Sequence, residues 1–283
     1  MTVTRVLVLG GVAGGMSSAT RLRRLDESAK IVVFERVNYV SFANCGLPYY
    51  VGGVIKDRNA VLVQTPEALR SRFELDIRTG QDVIAIDPAS RTVTVRDVRA
   101  LTETTESYDY LVLAAGSVPR DVFAGAADGP AVATLRSIDD VGRITARLES
   151  VGDGVRAVVA GGGFIGLEAV ENLAHRGAEV TLVQHSPYPL SPLNPEMAAT
   201  VLDELATNGV TVHVNSSITE LTPEGVLLDD GTAIACELVD RCTRSVPGIV
   251  HRGPGGVARR PDGRRRRRWV AAHQRLTDPR CRR

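Results

Sequence analysis

A single cysteine stands in a segment whose residue types suit redox chemistry. Cys45 lies between Asn44 and Gly46, within the sequence S-F-A-N-C-G-L-P-Y-Y-V-G-G that runs from Ser41 to Gly53. The nearest other cysteine is Cys236, so Cys45 has no C-x-x-C or C-x-x-x-x-C partner. A redox thiol in this setting works alone, by exchange with a disulfide of the substrate or by cycling through an oxidised sulfur.

Two interpretations of Cys45 compete. A lone cysteine beside glycine and proline is more often a small buried hydrophobe than a nucleophile. The functional interpretation places a thiolate at the start of a helix, where free backbone N–H groups and the helix dipole favour negative charge. The elements that surround the segment decide between the two.

A dinucleotide-binding βαβ unit precedes the cysteine. The apolar run from Arg5 to Leu9 predicts a buried parallel strand, and the glycine-rich turn from Gly10 to Gly15 leads into a helix. A second strand follows at Ile31 to Phe34, with Glu35 at its end. In such a unit the helix start receives a pyrophosphate and the acid binds a ribose. The turn departs from G-x-G-x-x-G because Val12 occupies the second glycine position.

A second βαβ unit begins at Ala157. Its turn, from Gly161 to Gly166, fits G-x-G-x-x-G in full, and its second strand runs from Glu179 to Val183. Two fingerprints about 150 residues apart indicate two bound nucleotides. The simplest assignment gives FAD to the first fingerprint and a nicotinamide nucleotide to the second. Gln184 and His185 replace the acid typical of NAD sites. The choice between NADH and NADPH therefore stays open, with a slight preference for NADPH or dual use.

Between and after these units the patterns predict further α/β structure. Thr65 and Ser137 are good N-caps for helices, and Pro195 suits the first position of a third helix. Alternating residues over 82–97 predict a β-hairpin or a small meander, whereas the apolar run from Tyr108 to Gly116 predicts a strand that ends in small residues.

Composition indicates an ordinary globular chain. Its 283 residues suffice for two domains, with 43% hydrophobic and 24% charged residues. No apolar run approaches the about 18 residues that a membrane span needs, and no signal-peptide pattern stands at the start. Four scattered cysteines do not form a secreted disulfide framework, so we expect a cytoplasmic protein without a membrane partner.

The charge is distributed unevenly. Residues 240–283 hold fourteen Arg and three Asp, a charge of +11 that leaves −10 on the remainder. A basic tail of this kind suggests nucleic-acid binding, but Trp269 is its one aromatic residue and no known fold is recognisable there. We therefore expect an irregular, disordered tail that does not bind nucleic acid.

The genetic code offers another explanation of the tail. Residues 240–246 can be encoded as GAT CGT TGC ACT CGG AGT GTN, and skipping the first base gives I-V-A-L-G-V. This sequence has the apolar pattern of a buried strand followed by a turn. The hypothesis is that the reading frame is lost near Asp240.

The cysteine segment closely resembles the active-site segment of the coenzyme A-disulfide reductases. These belong to the single-cysteine pyridine nucleotide-disulfide oxidoreductases, as do NADH peroxidase and NADH oxidase. The resemblance implies an α/β fold with two Rossmann-like domains: an incomplete FAD-binding domain at 1–115 and an NAD(P)-binding domain at 116–239. It also implies that a C-terminal dimerisation domain, and with it the homodimer of the family, is missing after residue 240.

The resemblance also implies roles for individual residues. The redox thiol would be Cys45, flanked by Ser41 and Asn44, and Arg24 would meet the phosphates of coenzyme A. The residues expected to bind FAD are Gly10, Gly14, Gly15, Glu35, Ala115 and Gly116. The residues expected to bind NAD(P)H are Gly161, Gly163, Phe164, Gly166 and Gln184, with the ring of Phe164 covering the nicotinamide pocket. No metal is expected.

Three functions follow as alternatives. The first is an FAD-dependent NAD(P)H oxidoreductase that reduces coenzyme A disulfide or a related small disulfide or persulfide. The second is an NADH oxidase or peroxidase in which Cys45 forms a sulfenic acid. The third, of another class, is an inactive remnant with a basic, nucleic-acid-binding tail.

Overall fold

The fold is built from six helices and seventeen short strands in the part of the chain that the structure describes. This computed structural model describes residues 3–119, 129–152, 154–191, 193–242 and 245–247. The helices are α1 (Ala13–Leu25), α2 (Leu47–Val51), α3 (Pro66–Phe73), α4 (Ile138–Val151), α5 (Phe164–His175) and α6 (Pro195–Thr207). The strands are β1 (Arg5–Leu9), β2 (Lys30–Glu35), β3 (Asp76–Thr79), β4 (Gln81–Asp87), β5 (Thr92–Asp97), β6 (Glu103–Ser107), β7 (Tyr110–Leu113), β8 (Ser117–Pro119), β9 (Ala131–Ala133), β10 (Arg156–Ala160), β11 (Glu179–Gln184), β12 (Thr211–Val214), β13 (Ile218–Thr222), β14 (Gly225–Leu228), β15 (Ala233–Ala235), β16 (Leu238–Arg241) and β17 (Ser245–Pro247).

The first half of the chain forms a four-stranded parallel sheet in the order β3-β2-β1-β7. Both faces of the sheet are covered, which explains why β1 and β2 are almost uninterrupted apolar runs. Residues of α1 and Leu69 of α3 pack on one face. The antiparallel sheet β4-β5-β6 packs on the other face, where Val93 and Val95 lie in one cluster with Leu7 and Phe34.

The second half forms a five-stranded parallel sheet in the order β12-β11-β10-β16-β9. Helices α4 and α5 cover one face through buried residues such as Ile144 and Val170. The antiparallel sheet β13-β14-β15 covers the other face, with Val226 and Leu228 in the same cluster as Val158 and Val239. The α/β fold expected from the two glycine fingerprints is confirmed.

The helix that follows the cysteine packs away from the first sheet. Leu47 and Val51 of α2 are fully buried, and they belong to the same hydrophobic cluster as residues of α4, α5 and β10. The segment from Ser41 to Gly53 therefore bridges the two halves of the chain.

Local signals placed the helix starts correctly. The side chains of Thr65, Ser137 and Asn194 accept backbone N–H bonds at the starts of α3, α4 and α6. The hairpin or small meander expected over 82–97 is a three-stranded meander. Strands β4 and β5 form the hairpin, and β6 extends it beyond the expected range.

The expectation of an irregular segment from residue 240 onward is wrong for the first residues of that segment. Asp240 and Arg241 continue β16, which lies between β10 and β9 in the second sheet. Residues 245–247 form β17, which pairs antiparallel with β8. Residues 243–244 and 248–283, including Cys281, lie outside the described residues.

Asp240 is the one acid buried inside the second sheet, among the described residues. It is 1% exposed, and its Oδ1 has no hydrogen-bond partner in the described part of the chain. Burial raises the pKa of this carboxyl to about 7, although a hydrogen bond with the thiol of Cys242 opposes the rise. An apolar residue would fit this buried position better than an acid. The shifted reading frame would place an isoleucine there.

Asp240 should make the protein less stable as the pH rises. The folded state holds a proton that the unfolded chain releases at a pKa near 3.8, so the free energy of unfolding falls between about pH 4 and pH 7. The expected loss is about 1.4 kcal/mol for each pH unit in this interval, relative to the Asp240→Asn variant, which carries no proton to release. Urea denaturation of both proteins at pH 5 and pH 8 measures it. Equal pH dependence of the two would contradict the prediction.

No helix among the described residues is long and apolar enough to span a membrane.

Candidate functional site

The first glycine turn brings the end of β1 close to the start of α1. Gly10 has a φ of +104°, and a Cβ on Gly15 would lie 1.7 Å from the carbonyl oxygen of Gly10. Gly15 is therefore needed for close packing of helix and strand. Gly14 is different: a Cβ there would meet its nearest atom, the Cβ of Ala114, at 3.8 Å. Of the glycines expected at this site, Gly14 lies where a ligand could approach.

Glu35 stabilises this turn from the end of β2. Its Oε2 accepts the N–H of Gly11 at 2.7 Å, and its Oε1 accepts the N–H of Val37 at 3.1 Å. The carboxylate is 8% exposed and oriented by both bonds. Because each carboxylate oxygen can accept a second bond, Glu35 can hold the turn and still accept from a ribose hydroxyl.

The second glycine turn repeats this architecture. Gly161 has a φ of +109°, and a Cβ on Gly166 would lie 1.8 Å from its carbonyl oxygen. The space around Gly163 is open: apart from its chain neighbours, no atom of the described residues lies within 4 Å of the position of its Cβ. Gln184 takes the place of Glu35: it is buried, and its Oε1 accepts the N–H of Gly162 at 2.8 Å.

Two helix starts that follow glycine turns are free to bind an anion. Helices α3, α4 and α6 are capped by side chains, but the N-cap residues of α1, α2 and α5 make no side-chain capping bond. Of these three, α1 and α5 begin at a glycine turn, with Val12 and Gly163 as their N-cap residues. The first N–H groups of α1 and α5 thus lack a side-chain acceptor within the described residues. Free N–H groups and the helix dipole form a phosphate site, so both glycine turns fit a dinucleotide pyrophosphate.

Small residues border the first turn. Ala115 and Gly116 follow β7, are exposed, and lie beside Gly10, whose added Cβ would be 2.3 Å from the carbonyl oxygen of Ala114. Phe164, the first residue of α5, is 71% exposed at the start of the second turn. That its ring covers a nicotinamide pocket stays a prediction.

The cysteine segment is bonded to the first glycine turn. The N–H of Ser41 donates to the carbonyl of Gly11 at 2.9 Å, and Ser41 has a φ of +48°. A 3-10 turn, Asn44–Gly46, then carries Cys45 into α2. Asn44 and Cys45 are exposed, so the chain presents this thiol to solvent. The interpretation of Cys45 as a buried hydrophobe is wrong.

The other cysteines of the described residues differ from Cys45. Cys236 is 4% exposed, and burial raises the pKa of its thiol to about 11. Burial also raises the pKa of the Cys242 thiol, with a smaller contribution from Asp240. Thiols that stay protonated are poor nucleophiles, which leaves Cys45 as the accessible thiol of this set. No group of three or more His, Cys, Asp or Glu side chains in the described residues is placed to hold a metal.

A cleft of about 250 Å³ opens beside Ser41. Ser17 and Thr20 of α1 line one side, and Gln64 and Arg72 line another. Arg24 lies one turn beyond Thr20 on the same helix face, with its Nε donating to the carbonyl of Thr20 at 3.2 Å. Arg24 is exposed and is not among the residues that line the cleft, so its predicted contact with coenzyme A phosphates stays a prediction.

A family profile for pyridine nucleotide-disulphide oxidoreductases matches residues 4–263 of the chain. The chain belongs to this family. Its two glycine turns and its bridging cysteine segment are therefore parts of a pyridine nucleotide-disulphide oxidoreductase, as the sequence motifs indicated.

Several members of the family are similar to this chain. The coenzyme A disulfide reductase of Staphylococcus epidermidis is 32% identical over 237 residues, which cover 84% of this chain and 53% of that protein. The crystal structure of reduced Bacillus anthracis CoADR-RHD is 40% identical with a TM-score of 0.81, covering 87% of this chain and 44% of that one. An NAD-dependent persulfide reductase from A. fulgidus is 32% identical with a TM-score of 0.78, covering 86% and 46%. The chain spans about half the length of these relatives.

Sequence motifs missed several features of this pyridine nucleotide-disulphide oxidoreductase. The bond from Gly11 to Glu35 joins residues that are 24 positions apart, and the cleft beside Ser41 is lined by residues of two helices, α1 and α3. No local pattern marks either feature. The sequence shows that Glu35 and Gln184 occupy equivalent positions, because each ends the second strand of its βαβ unit. It does not show that each side chain accepts a hydrogen bond from its glycine turn.

Proposed function

We propose that the protein is an FAD-dependent NAD(P)H oxidoreductase that reduces coenzyme A disulfide, or a related small disulfide or persulfide, through Cys45. The observation that carries this proposal is the bond between Ser41 and Gly11, because it ties an exposed thiol to an anion-binding glycine turn. The similarity to a coenzyme A disulfide reductase and to a persulfide reductase supports the substrate class.

The two glycine turns would hold the two nucleotides. The uncapped start of α1, with Gly14 open beside it, would bind the FAD pyrophosphate, and Glu35 would accept from the ribose. The uncapped start of α5 and Gly163 would bind the nicotinamide nucleotide. Bound FAD supplies a two-electron relay between a nicotinamide and a disulfide.

Cys45 would perform the exchange. Its thiolate attacks one sulfur of the disulfide, which breaks the S–S bond, forms a mixed disulfide on Cys45 and releases one thiolate. Reduction of the mixed disulfide by two electrons from NAD(P)H releases the second thiol and restores the Cys45 thiolate. Each turnover thus consumes one NAD(P)H, one proton and one disulfide and yields two thiols.

The cleft beside Ser41 would take the remainder of the substrate. Arg72 lines this cleft, and Arg24 lies one turn beyond Thr20, which also lines it. Either arginine could bind phosphates of coenzyme A. The stoichiometry tests the function: NAD(P)H and coenzyme A disulfide, added to the FAD-loaded protein, should give two thiols for each NAD(P)H oxidised. NAD(P)H oxidation without thiol release would contradict disulfide reduction.

One observation favours a second candidate function. Cys45 is the one fully exposed thiol among the described residues, so a sulfenic acid formed there by peroxide would lack an exposed resolving thiol. A sulfenic acid can then be reduced directly, as a peroxidase requires. NAD(P)H consumption that depends on added peroxide, and not on coenzyme A disulfide, would identify this function. The third candidate, a nucleic-acid-binding remnant, depends on a tail outside the described residues.

Gln184 should allow the protein to use NADPH as well as NADH. The buried amide replaces the carboxylate that would repel a 2′-phosphate, although no arginine follows it to attract one. Gln184→Glu should keep the bond to Gly162 and weaken the binding of 2′,5′-ADP about tenfold or more, with little change for ADP. Calorimetric titration with the two ligands measures this. An unchanged ratio of the two dissociation constants would contradict it.

A further inference from the structure

One arginine at the end of α5 contacts the helix that follows Cys45. Nη1 of Arg176 donates to the carbonyl of Val51, the last residue of α2, at 3.2 Å. Nη2 of the same side chain lies 3.6 Å from Oε1 of Glu149, near the end of α4. Arg176 therefore joins the ends of three helices that are far apart in sequence.

A close backbone approach reinforces this contact. A Cβ on Gly52 would lie 2.3 Å from Oδ1 of Asn172, so α2 meets α5 at a distance that only glycine permits. Asn172 is 3% exposed, and its Nδ2 donates to the carbonyl of Glu168 within α5. Its side chain is thus fixed against the end of α2.

The other end of α5 carries the second glycine turn. Helix α5 begins at Phe164, directly after Gly163, and its twelve residues span about 18 Å. One rigid helix thus has an anion-binding start at one end and the contact to the cysteine helix at the other.

The short helix α2 needs this support. Five residues form little more than one turn, which has marginal stability by itself, so its position depends on packing. Its buried residues, Leu47 and Val51, supply a hydrophobic anchor, but apolar contacts have little directional preference. The hydrogen bond from Arg176 to the carbonyl of Val51 is directional, and the close approach at Gly52 leaves little room for movement. Together they fix how α2, and with it Cys45, is oriented.

We propose that Arg176 is a positioning residue that fixes the Cys45 segment to α5, so that Cys45 meets a bulky disulfide in a productive orientation. This inference rests on the proposed role of Cys45. It assigns Arg176 no contact with the substrate.

The test compares two reactions of Cys45 in the full chain. Tryptic peptide 37–56 contains Cys45 as its single cysteine, so mass spectrometry follows this thiol alone. In Arg176→Met, the rate of mixed-disulfide formation with coenzyme A disulfide should fall about tenfold, whereas alkylation by iodoacetamide should change less than twofold. A small reagent does not need the orientation that a bulky one needs. Unchanged exchange with coenzyme A disulfide in folded Arg176→Met would overturn the proposal.

Two control variants separate this role from general destabilisation. Glu149→Gln removes the ion pair but leaves the bond to Val51, and Arg96→Met removes an exposed ion pair with Glu103 in the β5–β6 hairpin. Both should react as the unchanged protein does. An equal loss in either control would show that the bond to Val51 is not responsible. Arg176→Lys, which retains a donor and the charge, should recover part of the rate.

Amide hydrogen exchange tests the role of Arg176 without relying on the proposed function of Cys45. In the unchanged protein the amides of Gly52 and Gly53 should exchange as slowly as those of α4, and Arg176→Met should accelerate them about tenfold without affecting α5. Rapid exchange of these amides in the unchanged protein would overturn the inference, even if Arg176→Met did not fold. Absence of any coenzyme A adduct in the unchanged protein would instead reject the proposed function.

Discussion

Replacing Cys45 by serine should lower NAD(P)H-dependent reduction of coenzyme A disulfide by roughly 10³-fold or more. A serine hydroxyl at this position cannot form the mixed disulfide on which the exchange depends. FAD binding should persist, because the groups proposed to hold FAD are the start of α1, Gly14 and Glu35. Thiol release and flavin absorbance, measured on the FAD-loaded protein, follow the two properties separately.

A second cysteine provides the matched control for this variant. Cys236→Ala removes a buried thiol whose raised pKa keeps it protonated, so thiol release should stay near the unchanged rate. The expected cost is a stability loss of about 1 kcal/mol from the small cavity. Thiol release by Cys45→Ser at a rate comparable to that of Cys236→Ala would disprove the role assigned to Cys45.

Gly15→Ala should disrupt the first βαβ unit. The added methyl group would stand 1.7 Å from the carbonyl oxygen of Gly10, and a backbone atom at the end of a buried strand cannot move aside as a flexible side chain can. We expect the free energy of unfolding to fall by about 3 kcal/mol or more. Urea denaturation of the FAD-free protein measures this without any contribution from the ligand.

The neighbouring glycine is the control for Gly15. A Cβ at Gly14 finds its nearest atom at 3.8 Å, so Gly14→Ala should change the stability of the FAD-free protein by less than about 1 kcal/mol. Equal stability of the two variants would contradict the close approach of α1 and β1. Gly166 has the same relation to Gly161 in the second unit, so Gly166→Ala should behave as Gly15→Ala does.

The features that sequence could predict are those with local signals. The strands β1 and β10 are apolar runs that end in glycines, and the caps at Thr65 and Ser137 are bonds within one helical turn. These patterns depend on residues a few positions apart, so they are visible without any tertiary structure. The two glycine turns were predictable for the same reason.

The rest depends on contacts between distant residues. Helix α2 packs against α4 and α5, which follow it by about 90 residues or more, and its residues give no sign of that partner. Strand β6 has the polar sequence E-T-T-E-S, and it forms because β5 offers a free edge. Asp240 is an acid that packing places within a buried strand, against the preference of its side chain.

The candidate site divides in the same way. The motifs supplied Cys45, Ser41 and the glycines, but not the geometry that connects them. The bond from Ser41 to Gly11 and the contact of Arg176 with Val51 exist only in the folded chain. The first connects the cysteine segment to the first glycine turn. The second connects it to α5, the helix that begins at the second glycine turn.

The most direct test of the central claim is the reaction of the 283-residue chain with coenzyme A disulfide, followed by mass spectrometry of its tryptic peptides. We expect one coenzyme A adduct for each chain, on Cys45 in peptide 37–56, that a reducing thiol removes. Cys236 and Cys242, which burial keeps protonated, should stay unmodified. A folded protein whose Cys45 forms no adduct, or forms one no faster than Cys236 does, would contradict the account.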